Sequence, residues 1–379
     1  MKKFVIIPDS FKGTISSTEI CSVIERKISE VFPNAKTVCL PVADGGEGTV
    51  DCFLTALGGK KINISCTGPL FEKMNGFYGV LNDNTAVIEM AAVAGLPLVE
   101  NCKDPKKTTT YGVGELIMHA IKSDCKNIIL GLGGSATNDY GTGAAAALGV
   151  KFFDASGKEF IPTGGTLVNV AKIDVSKAKE NLKGIKITAM CDIDNPPYGK
   201  NGAAYVYAPQ KGADEKTVEQ LDLGLKSISL VIEKQLKINV SNLKGGGAAG
   251  AMGAGAVAFL GAQLKMGINT VLETVNFSQL ISDADLIFTG EGKIDSQSLM
   301  GKVVIGVSQK AKEQNVPVIA IVGGAEGDLQ GAYEMGVTSI FTINRLPQDF
   351  SVSRYKTKEN LEFCVENVLR FLKSTRQKG

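Results

Sequence analysis

The sequence has no tryptophan and only one histidine, His119. Any hydrolase built on a Ser-His-Asp triad would have to use His119. That residue lies between Met118 and Ala120 on an expected helix and reads as structural. The sequence also has no C-x-x-C pair. Its eight cysteines, Cys21, Cys39, Cys52, Cys66, Cys102, Cys125, Cys191 and Cys364, sit mostly inside apolar runs. This pattern fits reduced, buried thiols better than a disulfide framework or a zinc site. No apolar run reaches the roughly 20 residues of a membrane helix. The apolar start, Phe4 to Ile7, meets Pro8-Asp9 too soon for a signal peptide, so a cytoplasmic protein is expected. A dominant charge is missing too: 41 basic against 39 acidic residues leave +2, which excludes a nucleic-acid surface driven by bulk charge. No Gly-Lys is followed by Ser or Thr, so there is no Walker A loop. Neither a Ser/Pro-rich linker nor an internal repeat divides the chain.

What the chain does have is length, apolar content and glycine. Its 379 residues are 44% hydrophobic, and 44 are glycine. At roughly 150 residues per domain this predicts two or three domains with a sizeable core. Phe4 to Ile7 reads as a buried strand. Ser16 and Glu19 form a capping box before a helix with Ile20, Val23, Ile24 and Ile28 on one face. Thr37 to Val42 and Val50 to Leu57 repeat the strand–loop–helix order. From Lys61 the pattern changes to alternation, with a hairpin around Asn82-Asp83-Asn84. Later segments expected as strands are Val150 to Phe153, Gly184 to Met190, Asp285 to Thr289, Val316 to Val322 and Val337 to Ile343. The reading is an α/β fold of two domains. A Rossmann-like parallel layer comes from both chain ends (1–60 plus 285–379), and an inserted mixed-sheet α/β domain spans 61–284.

The chain is organised around Asn127 to Val150, where Ile128-Ile129-Leu130 breaks at Gly131, Gly133 and Gly134 and resumes as the Ala-rich helix Ala144 to Leu148. Strand, glycine turn and helix N-terminus together suit an anion, because free N–H groups and the helix dipole face it. Ser135, Thr137, Asn138 and Asp139 lie in the turn. The G-x-G-x-x-[GA] pattern also occurs at Gly245/Gly247/Gly250 and Gly253/Gly255/Ala258, so it is weak by itself. A dinucleotide reading would use Asp154, after the next expected strand, as its ribose acid. Asp139 would repel a bare pyrophosphate unless Mg²⁺ shields it.

Acids recur at expected strand ends: Asp9, Asp44, Glu47, Asp139, Asp192, Asp194, Glu291 and Asp295. One such acid is usually a turn residue. Several converging on one site could hold Mg²⁺ with phosphate and water, or accept a hydroxyl proton. Lys12, Lys211 and Lys293 lie in expected loops, with Arg345 a weaker candidate for the same role. Lys12 and Lys211 are suited to an anion. Together these groups point to phosphoryl transfer, which needs positioning and charge neutralisation more than covalent chemistry.

Seven motifs in order then carry a resemblance over nearly the whole chain. They are PDSFKG (Pro8 to Gly13), ADGGEGT (Ala43 to Thr49), GGSATND (Gly133 to Asp139), CDIDNP (Cys191 to Pro196), PQKGA (Pro209 to Ala213), GAAGAMGAG (Gly247 to Gly255) and TGEGKIDSQ (Thr289 to Gln297). The chain resembles the bacterial glycerate kinases of the D-glycerate type. The resemblance implies ATP, Mg²⁺ and glycerate, and an active site in the cleft between two α/β domains. The members it resembles most suggest the 2-position as phosphate acceptor. Members commonly read Gly where this chain has Tyr140 and Ala251, and Leu at Pro197.

On this basis Asp192, Lys12 and Asp295 are the expected catalytic residues, with Asp192 as base. Ser10, Gly133, Gly134, Ser135, Thr137, Asn138, Lys211, Gly290 and Glu291 are expected to bind substrate or phosphate. Asp44, Asp139 and Asp295 are the expected metal carboxylates. No nucleic-acid or membrane partner is expected, and a homodimer is compatible with the sequence. Two rivals stay open: an NAD-dependent oxidoreductase of a small hydroxy acid, and a non-catalytic sensor of an organic acid.

Overall fold

The computed structural model describes residues 1–43, 45–295 and 298–376. Asp44, one of the expected metal carboxylates, lies outside the described residues. The chain forms two compact units. A terminal unit comprises Met1–Ala43, Thr55–Leu57 and Met266–Gly379, and a central unit comprises Asp44–Leu54 and Gly58–Lys265. The compact units differ from the division expected from sequence by placing 44–54 and 58–60 with the centre and 266–284 with the termini.

In the terminal unit, five parallel strands run in the order Ser339–Thr342, Val318–Ala325, Leu286–Ile294, Lys3–Pro8, Lys36–Cys39. Lys3–Pro8 is buried along its whole length, as an apolar run inside a parallel sheet should be. The Ser17–Val31 helix starts at Ser16 with the capping box complete. Its buried face, Ile20, Val23, Ile24 and Ile28, shares a core with Leu361, Val365 and Leu369 of the last helix, Thr357–Arg376. Each such aliphatic side chain contributes about 1.5–3 kcal/mol.

One expected turn is instead strand. Leu286–Ile294 continues past Thr289, and Glu291 pairs with Val322 and Lys293 with Gly324. The glycines there serve close approach. A side chain on Gly290 would meet the Ile321 carbonyl at 2.1 Å, and one on Gly323 would meet the Gly292 carbonyl at 2.4 Å.

The central unit holds a six-stranded mixed sheet in the order Gln263–Lys265, Lys186–Met190, Asn127–Gly131, Ala86–Glu89, Lys73–Val80, Lys60–Thr67. The first four strands are parallel, and the last two add antiparallel, Lys73–Val80 through the hairpin expected around Asn82-Asp83-Asn84. The long helix Glu215–Leu236 buries Val218, Leu221, Leu225 and Ile228, the face its spacing predicts.

The strand after the glycine turn does not return to this sheet. Lys151–Phe153 pairs antiparallel with Glu159–Phe160 and Lys172–Asp174 in a separate three-stranded sheet. Asp154 consequently sits in an exposed turn, accepting hydrogen bonds from the Ser156 and Lys158 amides at 2.9 and 3.0 Å. It has no place in a parallel dinucleotide unit. Among the described residues no helix is long and apolar enough to cross a membrane.

Candidate active site

In the central unit three parallel strands end side by side: Glu89 and Met190 both pair with Gly131. Crevices beyond such carboxyl ends are the usual ligand sites of α/β sheets. Here a cavity of about 320 Å³ is lined by Gly133, Gly134, Ser135, Asp192, Lys211 and Ala249, among others. Gly133 donates its N–H to the Gly45 carbonyl at 2.9 Å. A side chain on Gly133 would come within 2.6 Å of the Gly46 backbone, so glycine is required by this close approach. Gly134 is left-handed, at φ 72°, which a glycine adopts without strain.

Lys211 is nearly fully buried and donates to Ser135 Oγ at 2.9 Å and to the Thr137 carbonyl at 2.7 Å. Burial pulls its pKa down to about 7, and only the nearby Asp139 carboxylate opposes that fall. The turn therefore presents an ammonium group that titrates near neutrality.

Asp139 corrects an expectation. As a metal ligand its oxygens would have to be available, but the residue is fully buried and takes four donors. Thr110 N and Thr110 Oγ1 reach it at 2.8 Å each, Gly141 N at 3.1 Å and Gly143 N at 3.3 Å. Burial raises its pKa, and the four hydrogen bonds counter the rise. The carboxylate shapes the turn from behind. Thr137 and Asn138 are not among the residues that line the cavity. The Thr137 hydroxyl and both amide atoms of Asn138 are buried without a hydrogen-bond partner among the described residues.

Tyr140 likewise points away from the cavity. Its hydroxyl lies 2.9 Å from Ser229 Oγ in the core, and its amide donates to the Gly250 carbonyl at 3.1 Å. Gly250 lies within a left-handed kink, Ala249 to Ala251. A side chain on Gly250 would meet the Thr137 carbonyl at 2.0 Å. That contact seats the kink against the turn and brings Ala249 to the cavity wall.

Of the acids after Met190, Asp192 lines the cavity, whereas Asp194 is exposed and does not. Glu47 is exposed. His119 Nδ1 is 2.8 Å from the Tyr78 hydroxyl, a structural contact as expected.

The terminal unit gathers a second set of expected residues, again at parallel strand ends. Pro8 pairs with Gly290, and the Asp9 amide donates to the Gly290 carbonyl at 2.8 Å. Asp9 Oδ1 accepts from Ser10 N at 2.7 Å. Glu291 is 6% exposed, and its Oε1 has no partner among the described residues. Burial raises its pKa to about 7. Ser298 and Lys302 oppose the rise, and the charges of Asp9 and Asp295 add to it. Asp295 is half-buried, accepts from Ser298 N at 3.3 Å and lies 3.6 Å from Lys293 Nζ. Lys12 is exposed in the loop between Phe11 and Ile15, both of which are buried. Arg345 is engaged elsewhere, 3.1 Å from Glu359 and stacked over the Phe363 ring.

Among the described residues no three or more His, Cys, Asp or Glu side chains lie close enough to form an all-protein metal site. Mg²⁺ does not need one, since it usually takes one or two carboxylates plus phosphate and water. The partnerless Glu291 oxygen near the Asp9 and Asp295 carboxylates fits that donor set. Asp139 does not.

Sequence reasoning misses two supports of the turn. Thr110 belongs to Thr108-Thr109-Thr110, three successive fully or almost fully buried threonines. Such a polar run before a helix is a weak signal. Glu89, 2% exposed, reads only as the polar end of a strand.

The sequence profile of the glycerate kinase family matches residues 4–373. A glycerate kinase from Bacillus cereus is 44% identical, over 99% of both chains. A glycerate 2-kinase from Escherichia coli is 46% identical, over 90% of both. The crystal structure of a protein assigned as glycerate kinase 2 from Salmonella typhimurium LT2 superposes with a TM-score of 0.87 at 42% identity, covering 99% of each chain.

Proposed function

Since the chain belongs to the glycerate kinase family, we propose that it transfers the terminal phosphoryl group of ATP to the 2-hydroxyl of D-glycerate with Mg²⁺ present. The observation that carries this reading is the cavity at the carboxyl ends of the central strands. There a buried cation, Lys211, and the backbone of Gly133 to Ser135 share one small space with Asp192. The ammonium and turn amides suit a carboxylate or phosphate. The name of the Escherichia coli relative, a glycerate 2-kinase, supports the choice of hydroxyl.

In this reading Lys211, Ser135, Gly133 and Gly134 hold the glycerate carboxylate. Asp192 accepts the proton of the acceptor hydroxyl as its oxygen bonds to the terminal phosphorus. The bond from that phosphorus to the ADP oxygen breaks, and ADP leaves as an anion. Lys12 and Ser10 neutralise and orient phosphate charge, and Gly290 acts through its carbonyl, which holds the Asp9 amide beside them. In the terminal unit, Asp295 and Glu291 are the carboxylates that would hold Mg²⁺. The bound ion would offset charge on the phosphate oxygens. Thr137 and Asn138 act by setting the shape of the turn.

A coupled assay for ADP tests the reading. ADP should appear only when glycerate and ATP are both supplied. The Asp192→Asn variant should lose about a hundredfold or more in kcat, as expected for a removed general base. A smaller loss would reassign that role, and no ADP from the wild type would refute the kinase reading.

A further inference from the structure

The loop that backs the glycine turn begins a helix with no cap of its own. The Thr49–Leu57 helix starts at Gly48, which is left-handed at φ 87° and supplies no side-chain hydrogen bond. First-turn amides need an acceptor. Here it comes from another strand. Glu89, at the end of Ala86–Glu89, accepts from Val50 N at 3.0 Å and also from the Gly48 amide. The carboxyl group is 2% exposed. Among the described residues no salt bridge reaches it, and the nearby Lys61 pairs with Asp51 at 2.8 Å. A buried carboxyl without an ion pair is costly unless its hydrogen bonds serve the fold or the site.

Its consequences run to the cavity in two short steps. The loop it holds includes Gly45, whose carbonyl accepts from Gly133 N at 2.9 Å. Backbone of Gly45 and Gly46 also fills the space a side chain on Gly131 or Gly133 would need. Glu89 itself is in register with Gly131. Loop and turn thus fit each other without intervening side chains, so a shift of the loop is passed to Gly133.

We propose that Glu89 is a positioning residue for catalysis. By capping the Thr49–Leu57 helix from a neighbouring strand, it holds the Gly45–Gly48 loop against the turn and so fixes Gly133, whose N–H bonds the Gly45 carbonyl, together with the Gly134 and Ser135 backbone that lines the cavity. This role rests on the reading that the turn binds the substrate anion.

The test compares Glu89→Ala and Glu89→Gln with the wild type, at a temperature where circular dichroism shows each variant folded. For Glu89→Ala the expected result is a rise in KM for glycerate of about tenfold or more, with a smaller change in kcat. Amide hydrogen exchange should accelerate in 45–50 and 131–135 but not in the Leu286–Ile294 strand. Glu89→Gln keeps one acceptor and should restore most of the KM.

A cap that only stabilises the helix would lower the melting temperature and leave KM, kcat and exchange at 131–135 unchanged. That result in Glu89→Ala would overturn the proposal. If Glu89→Ala does not fold, Glu89→Met, which keeps the bulk but offers no acceptor to the Val50 and Gly48 amides, decides by the same two readouts, and unchanged KM and exchange at 131–135 in it overturn the proposal. A wild type that fails to phosphorylate glycerate would refute the functional reading. The exchange comparison would still test the placement of the loop.

Discussion

Lys211 reaches Ser135 across 76 positions of sequence, and its ammonium group lies 2.9 Å from the serine hydroxyl. This contact ties the PQKGA segment to the glycine turn and brings a buried cation into the cavity. Lys211→Met should raise KM for glycerate by about tenfold or more, since hydrogen bonds to a charged group are worth about 1.5–3 kcal/mol. Lys211→Arg, which keeps the charge but changes its shape, should fall between the two. Steady-state kinetics at fixed ATP checks both.

The same lysine predicts a pH dependence. Its pKa in the folded chain, about 7, lies below its usual value of 10.5. Between these values the unfolded chain binds more protons than the folded chain, so this group makes stability rise with pH across that window and levels off above it. Affinity follows the opposite sign, because the cation that attracts an anion is lost as pH rises through about 7. KM for glycerate should therefore increase from pH 6 to pH 8 in the wild type and stay flat over that range in Lys211→Arg. The Asp139 charge acts on the lysine, and Asp192 shares its cavity. Asp192→Asn should leave the direction of this trend unchanged.

Asp139→Asn replaces an acceptor-only group with one that must turn an NH₂ towards N–H donors. The backbone amides of Thr110, Gly141 and Gly143 cannot reverse to help, and one of the two lone pairs of the Thr110 hydroxyl is already taken by Ala144 N at 2.9 Å. A loss on the order of 3 kcal/mol or more is expected from the broken charged hydrogen bonds, read as a lower midpoint in urea. If Asp139 were instead a metal ligand, the variant would keep its stability and lose only its Mg²⁺ dependence.

Gly250→Ala should be among the most damaging small substitutions. The position is left-handed at φ 68°, and a methyl group would meet the Thr137 carbonyl at 2.0 Å. Backbone must move on one side or the other, and both sides support the cavity. The expected outcome is a melting temperature lower by several degrees and a fall in kcat/KM, measured on purified variant and wild type.

Much of this arrangement is legible in the sequence because its signals are local. The Ser16–Glu19 capping box, the buried face of the Glu215–Leu236 helix and the strand–glycine–helix order at Asn127 each depend on neighbouring residues. The role of Asp139 depends on Thr110, 29 positions away, and no local pattern distinguishes a carboxylate that caps a turn from one that binds a metal. Glu291 is misjudged for a related reason. Its flanking glycines suggest a turn, but they permit strand pairing at a close approach that only the partner strand reveals. The expected strand at Val150 is real, yet its partners lie in a different sheet. Sheet membership is a non-local property, and with it goes the dinucleotide role of Asp154.

Phosphoryl transfer to the 2-hydroxyl of glycerate is tested most directly by the ³¹P NMR spectrum of the reaction of this protein with D-glycerate, ATP and Mg²⁺. Transfer to the 2-hydroxyl gives loss of the terminal phosphate resonance of ATP, growth of ADP, and a phosphomonoester signal split into a doublet by the single proton on carbon 2. A triplet from the carbon 3 methylene would contradict the proposed acceptor hydroxyl. The absence of any phosphomonoester would contradict glycerate phosphorylation itself.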